Sequence, residues 1–164
     1  MSDVIRDDAV QATIAGEMFV YSNVVTALAG GATNYSSFRT GPYPVLIERR
    51  SYGTTANSIT IALYEGASST GGTPVIGTNR DRTALGLSTP EPQTCRVGVT
   101  PGALPAALFT LRLDATNTVN AAFGDPNTDK IRLAANTDHV LGITNNDGAA
   151  KDVSWSFLVR RLPR

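Results

Sequence analysis

His139 is the one histidine of the sequence and Cys95 is its one cysteine, and these two side chains limit the chemistry that the protein can perform. A hydrolase needs a nucleophile, a base and an orienting carboxylate, and His139 is the only candidate base. It alternates with Leu141 and Ile143, and a strand histidine on an apolar face is far more often a packed core or interface residue than a catalyst. One histidine and one cysteine are also too few for a structural zinc site.

Clusters of carboxylate and amide oxygens offer weaker alternatives for chemistry. Residues 125–129 and 145–147 carry oxygen ligands but lack the closing glutamate of a calcium loop, so we interpret both as turns. Glycosidases use two carboxyl groups about 5–9 Å apart, and nothing singles out a pair among Glu48, Glu65 and Asp114. We therefore predict a protein that is not an enzyme and that has no metal and no cofactor.

The balance of charged residues indicates which partners the protein is expected to bind. Fourteen basic and fourteen acidic side chains cancel, whereas proteins that bind nucleic acid usually carry a basic excess. No apolar stretch approaches the ~20 residues needed to cross a bilayer, and residues 1–8 lack the basic start of a secretion signal. We therefore expect a protein that is made in the cytosol and that contacts neither nucleic acid nor a membrane.

Short apolar runs of period two are the elements that must position any site. Residues 58–65 and 153–159 alternate most clearly, and residues 107–113 and 138–144 follow the same pattern. Period two is typical of a strand with one buried face. In the run near the C-terminus this pattern directs Trp155, the only tryptophan, into the core.

Turn-forming residues separate these runs, as in residues 145–148, which we expect to join the last two strands in a hairpin. About seven to nine short strands without helical crossovers predict an all-β fold, either an antiparallel β-sandwich or a jelly roll. We assign this domain to residues 17–164. Residues 1–16 stand apart from the strand pattern and predict an N-terminal arm or short helix.

Two stretches in order carry a resemblance to a known group of proteins. The first is the run 59–66, ending Leu-Tyr-Glu-Gly, followed by Asn-Arg-Asp-Arg at 79–82; the second is the late hairpin 131–146. This order resembles small virion proteins of tailed bacteriophages over residues 15–158. The chain departs from their pattern at His139, where an aromatic residue is commoner, and at its C-terminal end, where Arg160 and Arg161 replace an aromatic-acidic finish.

The resemblance implies a function as well as a fold. It implies a capsid decoration or cement protein, a sandwich or jelly roll that is expected to be a homotrimer and to bind the major capsid protein on the outer surface of the assembled head. The alternative is a carbohydrate- or receptor-binding module of a head or tail fibre, since such folds serve both roles. The inward direction predicted for Trp155 favours the structural role, because a sugar site needs aromatic side chains on an open face.

Polar clusters and the arm supply the candidate contacts with protein partners. Arginines can pair bidentately with carboxylates across an interface, although exposed ion pairs often contribute only about 0–1 kcal/mol. In the arm, apolar side chains could dock on the capsid. The candidate interface residues are Asn79, Arg80, Arg82, Glu48, Arg49, Arg50, Val10 and Ile14.

Overall fold

The computed structural model describes residues 17–80, 91, 93–114 and 130–162. Within these residues the chain is all-β and contains no helix. The strands are β1 (Met18–Leu28), β2 (Thr33–Thr40), β3 (Val45–Thr54), β4 (Ser58–Glu65), β5 (Ser69–Val75), β6 (Thr78–Asn79), β7 (Gln93–Pro101), β8 (Ala107–Asp114), β9 (Ile131–Leu133), β10 (Asp138–Asn145) and β11 (Lys151–Arg161).

The strands form two antiparallel sheets that pack face to face. One sheet has the order β6-β1-β11-β3-β9 and the other has the order β5-β7-β2-β10-β4-β8. The predicted antiparallel β-sandwich is therefore confirmed. The described part of the chain has more strands than the sequence pattern predicted, because β6 has two residues and β9 has three, which is too short for period-two alternation to be recognised.

Alternating apolar residues build the core between the sheets. In β11, Val153, Trp155, Phe157 and Val159 are buried, which confirms the inward direction predicted for Trp155. The Phe38 ring of the opposite sheet lies 5.3 Å from the ring centroids of both Trp155 and Phe157. This aromatic cluster ties the two sheets together, since buried aromatic pairs add about 0.5–1.5 kcal/mol beyond the burial of their area.

The β10–β11 connection is the predicted turn, and its polar side chains bind protein atoms. Asn145 is fully buried, and its Nδ2 donates to the carbonyl oxygens of Leu28 and Ala149 at 2.8 Å each. The Asp147 carboxylate accepts hydrogen bonds from the backbone N–H groups of Asn57 and Ser58 at 2.9 and 3.2 Å. Both side chains therefore hold the β10–β11 turn against neighbouring backbone, in agreement with the turn predicted from the sequence.

Candidate functional site

The outer face of the five-stranded sheet forms a shallow trough of small side chains. Because β11 directs Trp155 and Phe157 inward, Ser154 and Ser156 face outward. Pairing with β1 and β3 aligns them with further small side chains in cross-strand rows. We call this surface the serine trough and define it by six residues, namely Ser22, Val24, Ser51, Gly53, Ser154 and Ser156.

The trough is continuous along the strands. Three depressions of about 310, 330 and 220 Å³ overlap there, because neighbouring ones share Ser51 and Ser156 or Val24 and Ser154. Sheets that pack face to face lie about 10 Å apart, a distance set by the side chains between them. Because the side chains of the trough are small, a partner surface can approach this sheet closely. A Cβ atom on Gly53 would lie 2.6 Å from Ser154 Oγ, so the rows are already closely packed within the sheet.

Val24 gives the trough an apolar contact point. Its side chain is 65% exposed on β1, beyond the two residues of that strand that pair with β6. A scattered exposed valine is unremarkable on its own. Here it projects from a surface of small side chains, where an opposing surface could bury it completely.

Two arginines predicted as interface residues meet at one end of the trough. Arg49 and Arg80 line the same 310 Å³ depression, together with Val20 and Leu158. Arg49 reaches this face in β3 opposite Leu158, and Arg80 is placed beyond β6 by a 2.9 Å hydrogen bond from its N–H to the Met18 carbonyl. Both residues are exposed, so the fold joins two sequence clusters into one cationic end.

Glu48 and Arg50 lie elsewhere because β3 contains a register shift. The pairing passes from Leu158–Arg49 to Val159–Ile47 and leaves Glu48 as the extra residue. The buried Glu48 carboxylate lies 3.0 Å from Lys130 Nζ and 2.7 Å from Arg160 Nε. Arg50 is buried and its guanidinium lies 4.4 Å from the centroid of the Phe109 ring. Both side chains make contacts within the chain.

Of the remaining candidate interface residues, one lies in the described part of the chain and three lie outside it. Asn79 is buried in β6, where it pairs with Phe19 of β1. Arg82, Val10 and Ile14 lie outside the described residues, as does the arm predicted over residues 1–16. Their role as contact residues stays a prediction.

The two side chains considered for catalysis, His139 and Cys95, are both buried. His139 is fully buried between Phe38 and Glu65 in the register of the six-stranded sheet, and its Nε2 lies 3.3 Å from Glu65 Oε1. Burial lowers the pKa of His139 against the opposing effect of Glu65. Burial raises the pKa of Cys95 to about 12, and the charge of Glu91 adds to this. At neutral pH both side chains are therefore uncharged.

In residues 17–80, 91, 93–114 and 130–162, no group of three or more His, Cys, Asp or Glu side chains is placed to hold a metal ion. No helix in the described part of the chain is long and apolar enough to cross a membrane.

The sequence matches no protein-family model, and no curated protein is significantly similar to it.

Sequence reasoning missed the serine trough. The signal was present in Ser154 and Ser156, which alternate with the core residues of β11. A serine on the exposed face of a strand is ordinary in isolation, and only the pairing of three strands shows that small side chains form complete rows.

Proposed function

We propose that the protein is a capsid decoration or cement protein of a tailed bacteriophage, which binds the outside of the assembled head and stabilises contacts between major capsid protein subunits. The observation that carries this proposal is the serine trough with its cationic end at Arg49 and Arg80. The ordered resemblance of the sequence to small virion proteins supplies the kind of partner.

The trough suits adhesion to another protein surface. Stable protein interfaces bury about 1,600 Å² in total, and each Å² of apolar area removed from water contributes about 25 cal/mol before the costs of association. Small side chains lose little conformational freedom on binding. A rigid sheet face therefore loses little entropy when a capsid surface covers it.

Charge and symmetry set the specificity and the strength in this proposal. Arg49 and Arg80 would pair with carboxylates on the capsid protein, since a planar guanidinium can hold a carboxylate by two hydrogen bonds. A homotrimer presents three copies of the surface at once. Linked weak contacts then give much stronger attachment than any one of them.

A matched pair of variants tests the attachment surface. Val24→Lys places a positive charge in the middle of the trough. Thr100→Lys introduces the same charge at another exposed β-branched residue, which lies in the other sheet. We expect Val24→Lys to lose cosedimentation with assembled heads that lack the protein, and Thr100→Lys to bind as the unaltered protein does. Equal binding of both variants would reject the trough as the attachment surface. Failure of the unaltered protein to bind any heads would reject the function.

The second candidate is a carbohydrate-binding module, favoured by the outer face of the six-stranded sheet. Tyr35 and Tyr64 lie on this face on either side of β10. Tyr35 packs against Gly142, where an added Cβ would meet ring atom Cε1 at 3.0 Å. The hydroxyls of Thr33 and Thr144 lie 2.7 Å apart nearby. Polysaccharide binding that Tyr35→Ala abolishes, without any binding to heads, would favour this function.

A further inference from the structure

Two exposed arginines line one depression at the cationic end of the serine trough. Arg49 and Arg80 share a depression of about 310 Å³, and both side chains are exposed. In the part of the chain that the structure describes, no carboxylate lies within ion-pair distance of either guanidinium. Two like charges at one depression repel each other, and an anion held between them would remove that repulsion. The arrangement therefore suits a ligand of negative charge.

The acid next to Arg49 in the chain is already engaged by other cations. Glu48, the only acidic residue of β3, lies 2.7 Å from Arg160 Nε and 3.0 Å from Lys130 Nζ. Its side chain is only 7% exposed, so these two partners hold it within the fold. β3 therefore has no further acid for Arg49, which keeps its positive charge available to a ligand at the trough.

The strand order lets both guanidinium groups reach a common ligand. β3 carries Arg49 and β6 leads into Arg80, and the strands β1 and β11 lie between them. Three strand spacings of about 4.8 Å, or about 14 Å in total, therefore separate the two backbones. The long arginine side chains extend over that gap from both sides, above Val20 and Leu158, which are paired in register and line the same depression. One anion above these two apolar residues can therefore contact both arginines.

The other lining residues indicate which kind of anion fits. Ser51 and Ser156 are paired in register beside the arginines, and their hydroxyls can donate hydrogen bonds. A guanidinium donates two parallel hydrogen bonds to a carboxylate or to a phosphate. Val20 and Leu158 add an apolar floor, on which the methylene groups of an acidic side chain would be buried. Free phosphate has no apolar part, so the floor favours a carboxylate that belongs to a protein.

We propose that this depression binds a single oxyanion between Arg49 and Arg80, that its occupant in an assembly is an acidic side chain of the partner protein, and that free phosphate competes for the same place. The inference rests on the proposed attachment through the serine trough and adds a means of regulating it. Phosphate accepts two hydrogen bonds from one guanidinium, whereas chloride, a single atom, cannot span the two donors in the same way. Attachment therefore depends on which anion is present and not on ionic strength alone.

The first test titrates the full chain, isotope-labelled for NMR, at constant ionic strength. The probes are inorganic phosphate, a capped Ala-Glu-Ala peptide and, as a matched control for the charge, a capped Ala-Gln-Ala peptide. We expect saturable shifts of the Nε–H signals of Arg49 and Arg80 with phosphate and with the glutamate peptide, and none with the glutamine peptide. Absence of these shifts, or an equal response to the glutamine peptide, would overturn the proposal. Shifts with phosphate alone would overturn the acidic side chain as the occupant.

Matched variants show whether the two arginines hold the same anion. Arg49→Gln and Arg80→Gln are each expected to weaken phosphate binding by about tenfold or more, because each removes a charge-assisted pair. In a shared site, removing one arginine also weakens the response of the other, so a normal response of Arg80 in Arg49→Gln would show two separate sites and contradict the proposal. Arg39→Gln removes an exposed charge from the other sheet and is expected to leave phosphate binding unchanged.

Cosedimentation with heads tests the regulation separately. At equal ionic strength, phosphate is expected to reduce attachment of the unaltered protein more than chloride does, and Arg49→Gln should lose that difference. Equal effects of the two anions on the unaltered protein would reject the competition. Phosphate binding between the arginines without any attachment to heads would reject the proposed function and keep the oxyanion site, whereas attachment without anion binding would do the reverse.

Discussion

Nε2 of His139 lies 3.3 Å from Oε1 of Glu65, in a pair whose histidine is fully buried and whose carboxylate is 40% exposed. The Glu65 carboxylate also lines a cleft of about 320 Å³ between β8 and β9. The arrangement makes His139 a determinant of stability toward acid, because protonation would place a charge inside the sandwich.

The first prediction concerns pH. Burial lowers the pKa of His139 in the folded protein below its ordinary value, which is about 6.5 in an unfolded chain. The unfolded state therefore binds the proton more readily, and stability falls as the pH drops through about 6.5 toward the lower folded pKa. His139→Phe removes this contribution. Urea unfolding followed by the fluorescence of Trp155 should show a weaker loss of stability between pH 7 and pH 5 in the variant, and parallel curves would contradict the assignment.

The second prediction concerns the carboxylate at the β3 bulge. Glu48→Gln keeps the shape of the side chain but removes the charge that faces Lys130 and Arg160. Arg160 is only 18% exposed at its side chain, so losing its counterion is expected to reduce the free energy of unfolding by about 1–3 kcal/mol. Chemical denaturation measures the difference. Asp114→Asn, in an exposed pair with Arg112, is the control and should change the midpoint little.

The third prediction concerns the β10–β11 turn. Asn145→Ala removes two hydrogen bonds donated by Nδ2 and one accepted by Oδ1 from the Asp147 N–H at 3.0 Å. A loss of about 2–4 kcal/mol is expected, because buried backbone groups lose their partners. The exposed Asn146 side chain donates to the hydroxyls of Ser58 and Thr60 in β4, and its backbone hydrogen bond to Ser58 is kept in Asn146→Ala, which should therefore cost about 0.5 kcal/mol or less. Similar thermal shifts in the two variants would be the contrary result.

The fourth prediction concerns the contact between the sheets. Phe38→Ala leaves a cavity beside the rings of Trp155 and Phe157 and is expected to destabilise the protein by about 3–5 kcal/mol. Phe38→Leu fills part of that space and should cost less. Denaturation of both variants tests the order, and a larger loss for leucine than for alanine would show that Phe38 does not fill this space.

Much of the fold was predictable because one face of most strands is buried. Period-two alternation identified the strand runs and the inward direction of Trp155, and turn-forming residues identified the connection at 145–148. The short strands β6 and β9 were not predictable, because two or three residues show no period. Their existence depends on pairing with β1 and β3, which are remote in sequence.

The candidate site was predictable only in fragments. The arginine clusters around Arg49 and Arg80 stood out as polar groups, but their meeting at one end of the trough depends on the order β6-β1-β11-β3. Glu48, Arg49 and Arg50 formed one group in the sequence. The register shift separates them into a buried ion pair, an exposed side chain and an inward cation against Phe109.

By itself the sequence determined the buried apolar face of the long strands, since alternation along an extended chain sends successive residues to opposite faces. It also determined that the chain holds one imidazole and one thiol. Only the tertiary structure decided which strands are neighbours, where the register shifts and which edges remain unpaired. Those properties come from hydrogen bonds and packing between segments far apart in the chain, and they create the serine trough and the cleft beside β8.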